Sequence, residues 1–156
     1  MEANGQTVDN ARLAEMARTC ACFNFRKASR SVTQLFDQRL SPVGLRSTQL
    51  VILITSQLVG PSNIARLARE LVMDRSTLTR NLKPLVAHGY LQLTRPIAGR
   101  QKAVEITDEG REALLRAAPY WEQAQSHLVG RFGDDQWDKI MQDLSAIVEA
   151  AKAHEV

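Results

Sequence analysis

The stretch "MDRSTLTRNLKPLVAHGYLQL", residues 73–93, is the most informative part of the sequence. Its apolar residues recur at helical spacing and predict a helix over residues 75–89, with Leu78, Leu82 and Leu85 on the buried side. The opposite side carries hydroxyl groups and cations but no carboxylate. An exposed helix usually combines Glu with Lys, because such pairs stabilise it. The outward face therefore indicates a partner that supplies the negative charge.

Pro84 stands inside this predicted helix. It has no N–H and its ring crowds the carbonyl group of Arg80, so a bend is expected there. The bend would separate an exposed half, residues 75–83, from a half at residues 85–89 that packs inward and ends at Gly89, a typical helix terminus. The proline is thus compatible with a helix whose first half is exposed and whose second half packs against the core.

The outward face has the composition of a DNA-reading surface. Arg binds guanine edges or phosphates, and Ser and Thr reach phosphates or bases. Asp74 is placed to cap the helix, whose free N–H groups could also meet a phosphate. The candidate DNA contacts of this helix are Arg75, Ser76, Thr77, Thr79, Arg80 and Lys83. The alternative is an ordinary surface helix that happens to be basic.

Positive charge is concentrated around this helix. From Asp74 to Lys102 the chain holds one acid and six bases, whereas the whole chain of 156 residues carries a net charge of only +3. A basic patch on a nearly neutral protein indicates a polyanion partner at one face.

The composition is that of a globular protein, with 44% apolar and 24% charged residues. The longest apolar run, "LVILI", is far too short to cross a membrane, so no membrane partner is expected. The start, "MEANGQTVDNARL", lacks a basic segment followed by an apolar core. No secretory signal is predicted, and a cytoplasmic location is expected.

Catalytic and metal-binding patterns are missing from the sequence. His88, His127 and His154 are scattered, without the spacing of zinc ligands. There is no phosphate-binding loop, no dinucleotide-binding glycine pattern and no recognisable nucleophile–His–acid order. We therefore expect that this protein is not an enzyme and that it binds no metal and no cofactor.

Helical patterns precede the basic helix. Residues 9–39 are predicted as one long helix that ends before Ser41-Pro42, because the residue before a proline avoids helical angles. Ser47 is predicted to cap the helix that follows. The buried face of that helix is predicted to hold Leu50, Leu53, Ile54 and Leu58.

A tight turn and a hairpin surround the basic helix. Ser62 or Asn63 is predicted to cap a short helix, and only residues 72–74 separate it from the basic one, which is helix–turn–helix spacing. Alternating apolar and polar residues then predict two strands, roughly residues 90–95 and 102–106.

Two long helices close the chain. Thr107 is predicted to cap the first, which runs to about Leu128 with a kink at Pro119, and Asp134 is predicted to cap the second. The terminal helices carry more apolar face than one short domain can cover, which indicates a homodimer. The candidate dimerisation residues are Leu13, Met16, Trp137, Ile140, Leu144 and Ile147.

The predicted fold is mainly α with a small β-hairpin. A winged helix–turn–helix domain for double-stranded DNA is expected at residues 41–106, flanked by helical dimerisation regions at residues 1–40 and 107–156. The second helix of such a motif enters the major groove, and the hairpin tip reaches the minor groove.

The chain resembles the MarR family, the multiple-antibiotic-resistance type of bacterial transcription regulator. The resemblance lies in "LARELVMDRSTLTRNLKPLVAHGYL", in "VEITDEG", where the family commonly has Leu-Thr-x-x-Gly, and in "GLRSTQLVIL". It implies a homodimer on a pseudo-palindromic operator, usually a repressor that a small ligand or oxidation releases.

The wing departs from the family pattern. The family commonly has Asp-Arg-Arg before the second strand, where this chain has Ala98, Gly99 and Arg100. The resemblance therefore makes Arg100 the candidate minor-groove contact, and the missing aspartate and arginine put the rigidity of the wing in doubt. The candidate wing contacts are Arg95, Arg100 and Lys102.

The resemblance implies an effector, commonly an aromatic or phenolic carboxylate. Such an anion needs a cation beside apolar walls. The candidate pocket residues are Phe25, Arg26, Arg30, Phe36 and Arg46. The alternative for each arginine is a surface ion pair.

The stretch "CACFNFRKASR" resembles the peroxide-sensing branch of the family, which makes Cys22 a candidate redox residue. That branch supports its cysteine with tyrosine hydroxyl groups, but Arg26 and Phe36 stand at the matching positions. Arg26 could still lower the pKa of the Cys22 thiol. The alternatives are that Cys20 and Cys22 are small buried residues of a dimer helix, and that the winged helix binds a protein instead of DNA.

Overall fold

The computed structural model describes residues 9–94 and 103–153. The chain divides into two compact units, Met1–Leu35 and Phe36–Val156. The first unit contains helix α1, Asn10–Thr19, and most of helix α2, Ala21–Leu40. The second unit contains the remainder of the chain and the hydrophobic core.

The prediction of one unbroken helix over residues 9–39 is wrong, because the helix is interrupted at Cys20. This residue has an extended backbone, with a ψ of 114°. The side-chain amide of Asn24 donates to the carbonyl oxygens of Ala17, Arg18 and Cys20 at 2.9–3.3 Å. The thiol of Cys20 accepts from the N–H of Phe23 at 3.5 Å. Side chains thus satisfy groups that a helix end leaves free, and the break is stable.

The second unit follows the predicted order of helices and strands. A 3₁₀ turn at Ser41–Val43 leads to helix α3 (Ser47–Val59). The short strand β1 (Ser62–Asn63) and the helices α4 (Ile64–Glu70) and α5 (Arg75–Ala87) come next. The strands β2 (Leu91–Thr94) and β3 (Ala103–Ile106) follow, and the helices α6 (Asp108–Phe132) and α7 (Asp134–Lys152) complete the unit. The predicted mainly helical fold with a small hairpin is confirmed.

The sheet has three antiparallel strands in the order β1-β3-β2. The predicted hairpin is present, with Leu91 opposite Ile106 and Thr94 opposite Ala103. The short strand β1 was missed, because two residues carry no alternating pattern. It places Ser62 opposite Val104, so that the wing is joined to the start of α4 by a third strand. A third strand matters because a lone hairpin is marginally stable in water.

The core lies between α3, the helix–turn–helix, the sheet and the first half of α6. Its fully buried large residues include Leu40, Ile52, Leu53, Leu67, Leu78, Leu85, Leu91 and Val104. The predicted burial of Ile54 and Leu58 is wrong, since their exposed fractions are 37% and 80%. The side of α3 that packs on α6 and β3 holds Leu50, Leu53 and Ser56, which leaves Ile54 and Leu58 on the opposite side.

Three helix ends differ from their predicted positions. Arg46, not Ser47, is the N-cap of α3, and its N–H donates to Oε1 of Gln49 at 2.9 Å. Ser47 instead donates through its N–H and its hydroxyl group to Oδ1 of Asp37, both at 2.7 Å.

The turn between the last two helices contains the other two differences. α6 extends past the predicted end at Leu128 to Phe132. Gly133, with a φ of +79°, both ends α6 and precedes α7, so Asp134 is the first residue of α7 and not its cap. The left-handed conformation favours glycine at this turn. Both α5 and α6 continue through their prolines, Pro84 and Pro119.

Candidate nucleic-acid interface

The turn between α4 and α5 is unusually tight. The N–H of Met73 donates to the carbonyl oxygen of Ala68 at 2.9 Å, and that of Val72 to Arg69 at 3.2 Å. This is the hydrogen-bond pattern that normally ends a helix at a glycine. Here the left-handed position is held by Val72, with a φ of +50°. A β-branched residue is strained in that conformation, so the surrounding packing imposes the turn.

Asp74 caps the N-terminus of α5 as predicted. Its Oδ1 accepts from the N–H of Thr77 at 2.8 Å and from the hydroxyl group of Ser76 at 2.6 Å. The hydrogen bonds from the side chains of Ser76 and Thr77, together with the Thr77 N–H, hold the pKa of the Asp74 carboxyl group below its ordinary value. The start of the helix is thus fixed by a carboxylate that stays ionised.

The two faces of α5 are as predicted. Leu78, Leu82 and Leu85 are at most 4% exposed and belong to the core. The outward face has five exposed residues, Arg75, Ser76, Thr79, Arg80 and Lys83, and one half-buried residue, Thr77. Sequence periodicity was sufficient here because a single stripe of leucines anchors the helix.

The cations of this face are available to a partner. Within residues 9–94 and 103–153, none of Arg75, Arg80 and Lys83 forms an ion pair. Arg80 donates from Nη2 to Oγ1 of Thr77 at 3.3 Å, and the hydroxyl group of Thr79 donates to the carbonyl oxygen of Arg75 at 2.7 Å. The face therefore presents positive charge, and one of its cations, Arg80, is bonded to a neutral hydroxyl group.

The end of α5 is joined to the start of α6. Gly89, with a φ of +75°, ends α5 as predicted, and the N–H of Tyr90 donates to Leu85 at 2.9 Å. The hydroxyl group of Thr107 donates to the carbonyl oxygen of Gly89 at 2.6 Å and accepts from the N–H of Gly110 at 3.0 Å. Thr107 is thus the predicted cap of α6 and also a link to the basic helix.

Sequence reasoning missed two cations near the start of α5. A recess of about 670 Å³ lies between α4, the turn and the end of α7, and Arg69, Arg75 and Lys152 are among its lining residues. Arg69 is on the exposed side of α4. Lys152 is distant in sequence, and the sequence pattern gave no sign that the end of α7 comes close to the turn. Arg69 extends the positive surface beyond α5, and Lys152 lies beside it, paired with Glu149 at 3.1 Å.

The structure describes the two strands of the wing, β2 and β3. Strands β2 and β3 pair as predicted, and Nε2 of Gln92 donates to Oε2 of Glu105 at 3.3 Å across them. The predicted wing contacts Arg95, Arg100 and Lys102 lie outside the described residues.

Comparison with known proteins identifies the family. No protein-family model matches the chain. The transcriptional regulator MosR of M. tuberculosis is 33% identical, with a TM-score of 0.76 over 88% of this chain and 98% of MosR. MosR in complex with DNA gives a TM-score of 0.79. MarR of E. coli is 18% identical and shares the fold, with a TM-score of 0.64 over 92% of this chain and 96% of that one. The chain belongs to the MarR family.

A curated relative of this MarR-family chain agrees with that assignment. YwoH of Bacillus subtilis (strain 168), an uncharacterized HTH-type transcriptional regulator, is 28% identical over 83 residues. The match spans 53% of this chain and 61% of YwoH, which is less than two thirds of either protein. The family consists of transcriptional regulators and not of enzymes, as the sequence predicted.

The residues predicted to line an effector pocket are divided between two recesses. In the first unit, a recess of about 420 Å³ on α2 is lined by Phe25, Arg26, Ser29 and Arg30. In the second unit, Arg46 lines a recess of about 520 Å³ beside Asp37, and Phe36 packs against the core. The cation-and-aromatic combination predicted for an effector is therefore present on α2 within two helical turns.

Both cysteines are exposed and free. Cys20 lies at the break between α1 and α2, and Cys22 lies in the first turn of α2. Within the described part of the chain there is no group of three or more residues that could bind a metal ion. No described helix is long and apolar enough to cross a membrane.

The predicted dimerisation residues expose apolar surface. Leu13 and Met16 of the first unit are 48% and 56% exposed, and Leu144 and Ile147 of α7 are 39% and 42% exposed. Trp137 and Phe132 form an aromatic pair with ring centroids 6.1 Å apart.

Proposed function

We propose that this MarR-family protein is a sequence-specific regulator that binds double-stranded DNA as a homodimer. It acts as a repressor on a pseudo-palindromic operator, and a small aromatic or phenolic anion releases it. In this proposal residues 41–106 bind DNA, and residues 1–40 and 107–156 form the dimer. The protein acts in the cytoplasm.

The outward face of α5 is the observation that carries the proposal. It combines exposed Arg75, Arg80 and Lys83, which have no ion-pair partner among the described residues, with the hydroxyl groups of Ser76 and Thr79. A face of this kind fits a major groove, where Arg reads guanine and the other groups contact phosphates. MosR, the 33% identical relative, has been crystallised in complex with DNA, which supports this partner.

The exposed apolar faces support a dimer. Leu144, Ile147 and Val148 of α7 are each about two fifths exposed, which is unusual for large apolar residues that recur on one helix face. A two-fold dimer would cover them and would place two copies of α5 one helical turn of DNA apart. A palindromic operator follows from that symmetry.

The recess on α2 is the proposed effector site. Arg26 and Arg30 supply positive charge, and Phe25, which is 40% exposed, supplies an aromatic surface. An aromatic carboxylate would place its anionic group between the two guanidinium groups and its ring against Phe25. Replacement of both arginines by Gln should abolish release by the effector but leave DNA binding intact.

Selection of a duplex from a random pool, followed by titration at increasing salt, tests the function. The protein should enrich a palindrome, and its affinity should fall steeply with salt because phosphate contacts release counterions. Arg100→Ala should mainly weaken duplexes with narrow, A·T-rich flanks. The winged helix is a protein-interaction module if no duplex is enriched and if a partner protein binds to this chain with an affinity that does not depend on the salt concentration.

The helix break at Cys20 favours oxidation of Cys22 as a second candidate signal for the release of DNA. Cys22 is exposed and lies in the first turn of α2, directly after this interruption. Treatment with an organic hydroperoxide should release DNA from the wild type but not from Cys22→Ser. Equal release from both proteins would exclude Cys22 as the sensor.

A further inference from the structure

Thr77 differs from the other hydroxyl residues of the outward face. It is half-buried, whereas Ser76 and Thr79 are exposed. Its Oγ1 accepts from Nη2 of Arg80 at 3.3 Å, one helical turn further along α5. The backbone N–H of the same residue is held by the carboxylate of Asp74 at 2.8 Å.

The neighbouring hydroxyl groups have other partners. The hydroxyl group of Ser76 donates to Asp74 at 2.6 Å, and that of Thr79 donates to the carbonyl oxygen of Arg75 at 2.7 Å. Among the described residues, Thr77 is thus the hydroxyl residue on α5 that holds a cationic side chain. The partially buried position suits a supporting group better than a group that contacts DNA directly.

We propose that Thr77 is a positioning residue that pre-orients the guanidinium group of Arg80 for base recognition. The inference rests on the proposed DNA-binding function and reassigns Thr77 from a DNA contact to a support. A chain of hydrogen bonds runs from the Asp74 carboxylate through Thr77 to Arg80. The capped start of the helix thereby fixes the direction of the reading side chain.

The physical advantage is a smaller entropy cost of binding. Arg has a long, flexible side chain, and ordering it at an interface opposes association. A guanidinium group has five N–H donors, so one bond to Thr77 leaves the paired donors that recognise a guanine edge. Loss of the Thr77 hydroxyl should therefore weaken specific binding more than phosphate-dominated binding to random DNA.

The test compares Thr77→Val with Thr77→Ser on the duplex that the wild type selects and on random DNA. Valine keeps the shape and β-branching of threonine but lacks the hydroxyl group, and serine retains it. The ratio of the affinity for the selected duplex to the affinity for random DNA should fall about three- to tenfold in Thr77→Val. This is the range expected for the ordering of one side chain. Thr77→Ser should keep most of the ratio. Thr55→Val, which removes a hydroxyl group bonded to Val51 in α3, is the matched control and should keep it.

A double-mutant cycle separates positioning from direct contact. In an Arg80→Ala background, Thr77→Val should cause no further loss of specificity, because the residue it supports is gone. An equal further loss in that background would mean that Thr77 contacts DNA itself or acts through the fold, and would overturn the inference.

The free protein offers a readout that does not depend on DNA. Nitrogen-15 NMR of the Arg80 guanidinium group should show slower rotation in the wild type and Thr77→Ser than in Thr77→Val. Identical spectra in all three proteins would refute the positioning role. If the wild type prefers no duplex but the spectra differ as expected, the hydrogen bond is real and the proposed function is what fails.

Discussion

A Cβ atom on Gly110 would overlap with the carbonyl oxygen of Tyr90 and would lie 2.7 Å from Cγ1 of Ile106. Tyr90 directly follows the turn that ends α5, and Gly110 is in the first turn of α6. The Ile-Thr-x-x-Gly sequence therefore has a physical reason. Thr107 bonds to the end of α5, and Gly110 lets the two segments approach closely.

Gly110→Ala should lower the free energy of unfolding by about 1–3 kcal/mol, because the added methyl group overpacks a backbone contact that cannot move freely. Gly130→Ala is the matched control in the same helix, since its Cβ would meet nothing within 4 Å. It should be neutral or stabilising by up to about 1 kcal/mol. Urea denaturation of both variants measures the difference, and equal effects would contradict the contact.

Val72→Gly should raise the free energy of unfolding by up to about 1 kcal/mol. Left-handed backbone costs an L-residue about 1–2 kcal/mol, and part of this gain is offset by the greater freedom of glycine in the unfolded chain. Val51→Gly, at an exposed position inside α3, makes the same chemical change in a helical backbone and should destabilise the protein. A loss of stability in Val72→Gly would show that the turn is not strained.

Asp74→Asn should destabilise the protein less in acid than at neutral pH. Folding lowers the pKa of Asp74, so the ionised carboxylate stabilises the fold above the unfolded-state pKa of about 3.9. That contribution is lost as the pH falls through the folded-state pKa. Thermal melts from pH 7 to pH 2 should show the difference in stability between the wild type and the variant begin to narrow below about pH 4. Asp138→Asn on α7 is the control, and a difference between wild type and Asp74→Asn that is as large at pH 2 as at pH 7 would contradict this role of the carboxylate.

Ile140→Glu should convert the dimer to a monomer, because a carboxylate would have to be buried at an apolar interface. Trp137→Glu should act in the same direction. Gln142→Glu places the same charge at an exposed position of α7 and should leave the dimer intact. Light scattering gives the mass, and an unchanged dimer in Ile140→Glu would exclude this face from the interface.

Local patterns predicted the parts of the fold that depend on a single helix or strand. The leucine stripe of α5, the cap residues Asp74 and Thr107, and the glycine stop at Gly89 all follow from rules that act within a few residues. The family resemblance added the assembly of these parts, and the comparison with MosR confirms the family.

The errors arose where individual side-chain bonds or tertiary contacts, and not periodicity, determine the structure. The break at Cys20 depends on the Asn24 amide, which reaches back to three carbonyl groups, and no periodicity records such a bond. The burial of α3 was misjudged because its run of consecutive apolar residues, 50–54, covers every side of the helix and does not reveal which side faces α6. The approach of Lys152 to the turn is likewise set by the packing of α7 and not by local sequence.

The most direct test of the central claim measures the binding of wild type and Arg80→Ala to the selected duplex and to random DNA over a range of salt. Arg80→Ala should lose about 1–3 kcal/mol of binding free energy on the selected duplex and much less on random DNA. Lys83→Ala should weaken both equally and reduce the salt slope by about one. If the wild type shows no preference for any duplex and no salt dependence, α5 does not read DNA.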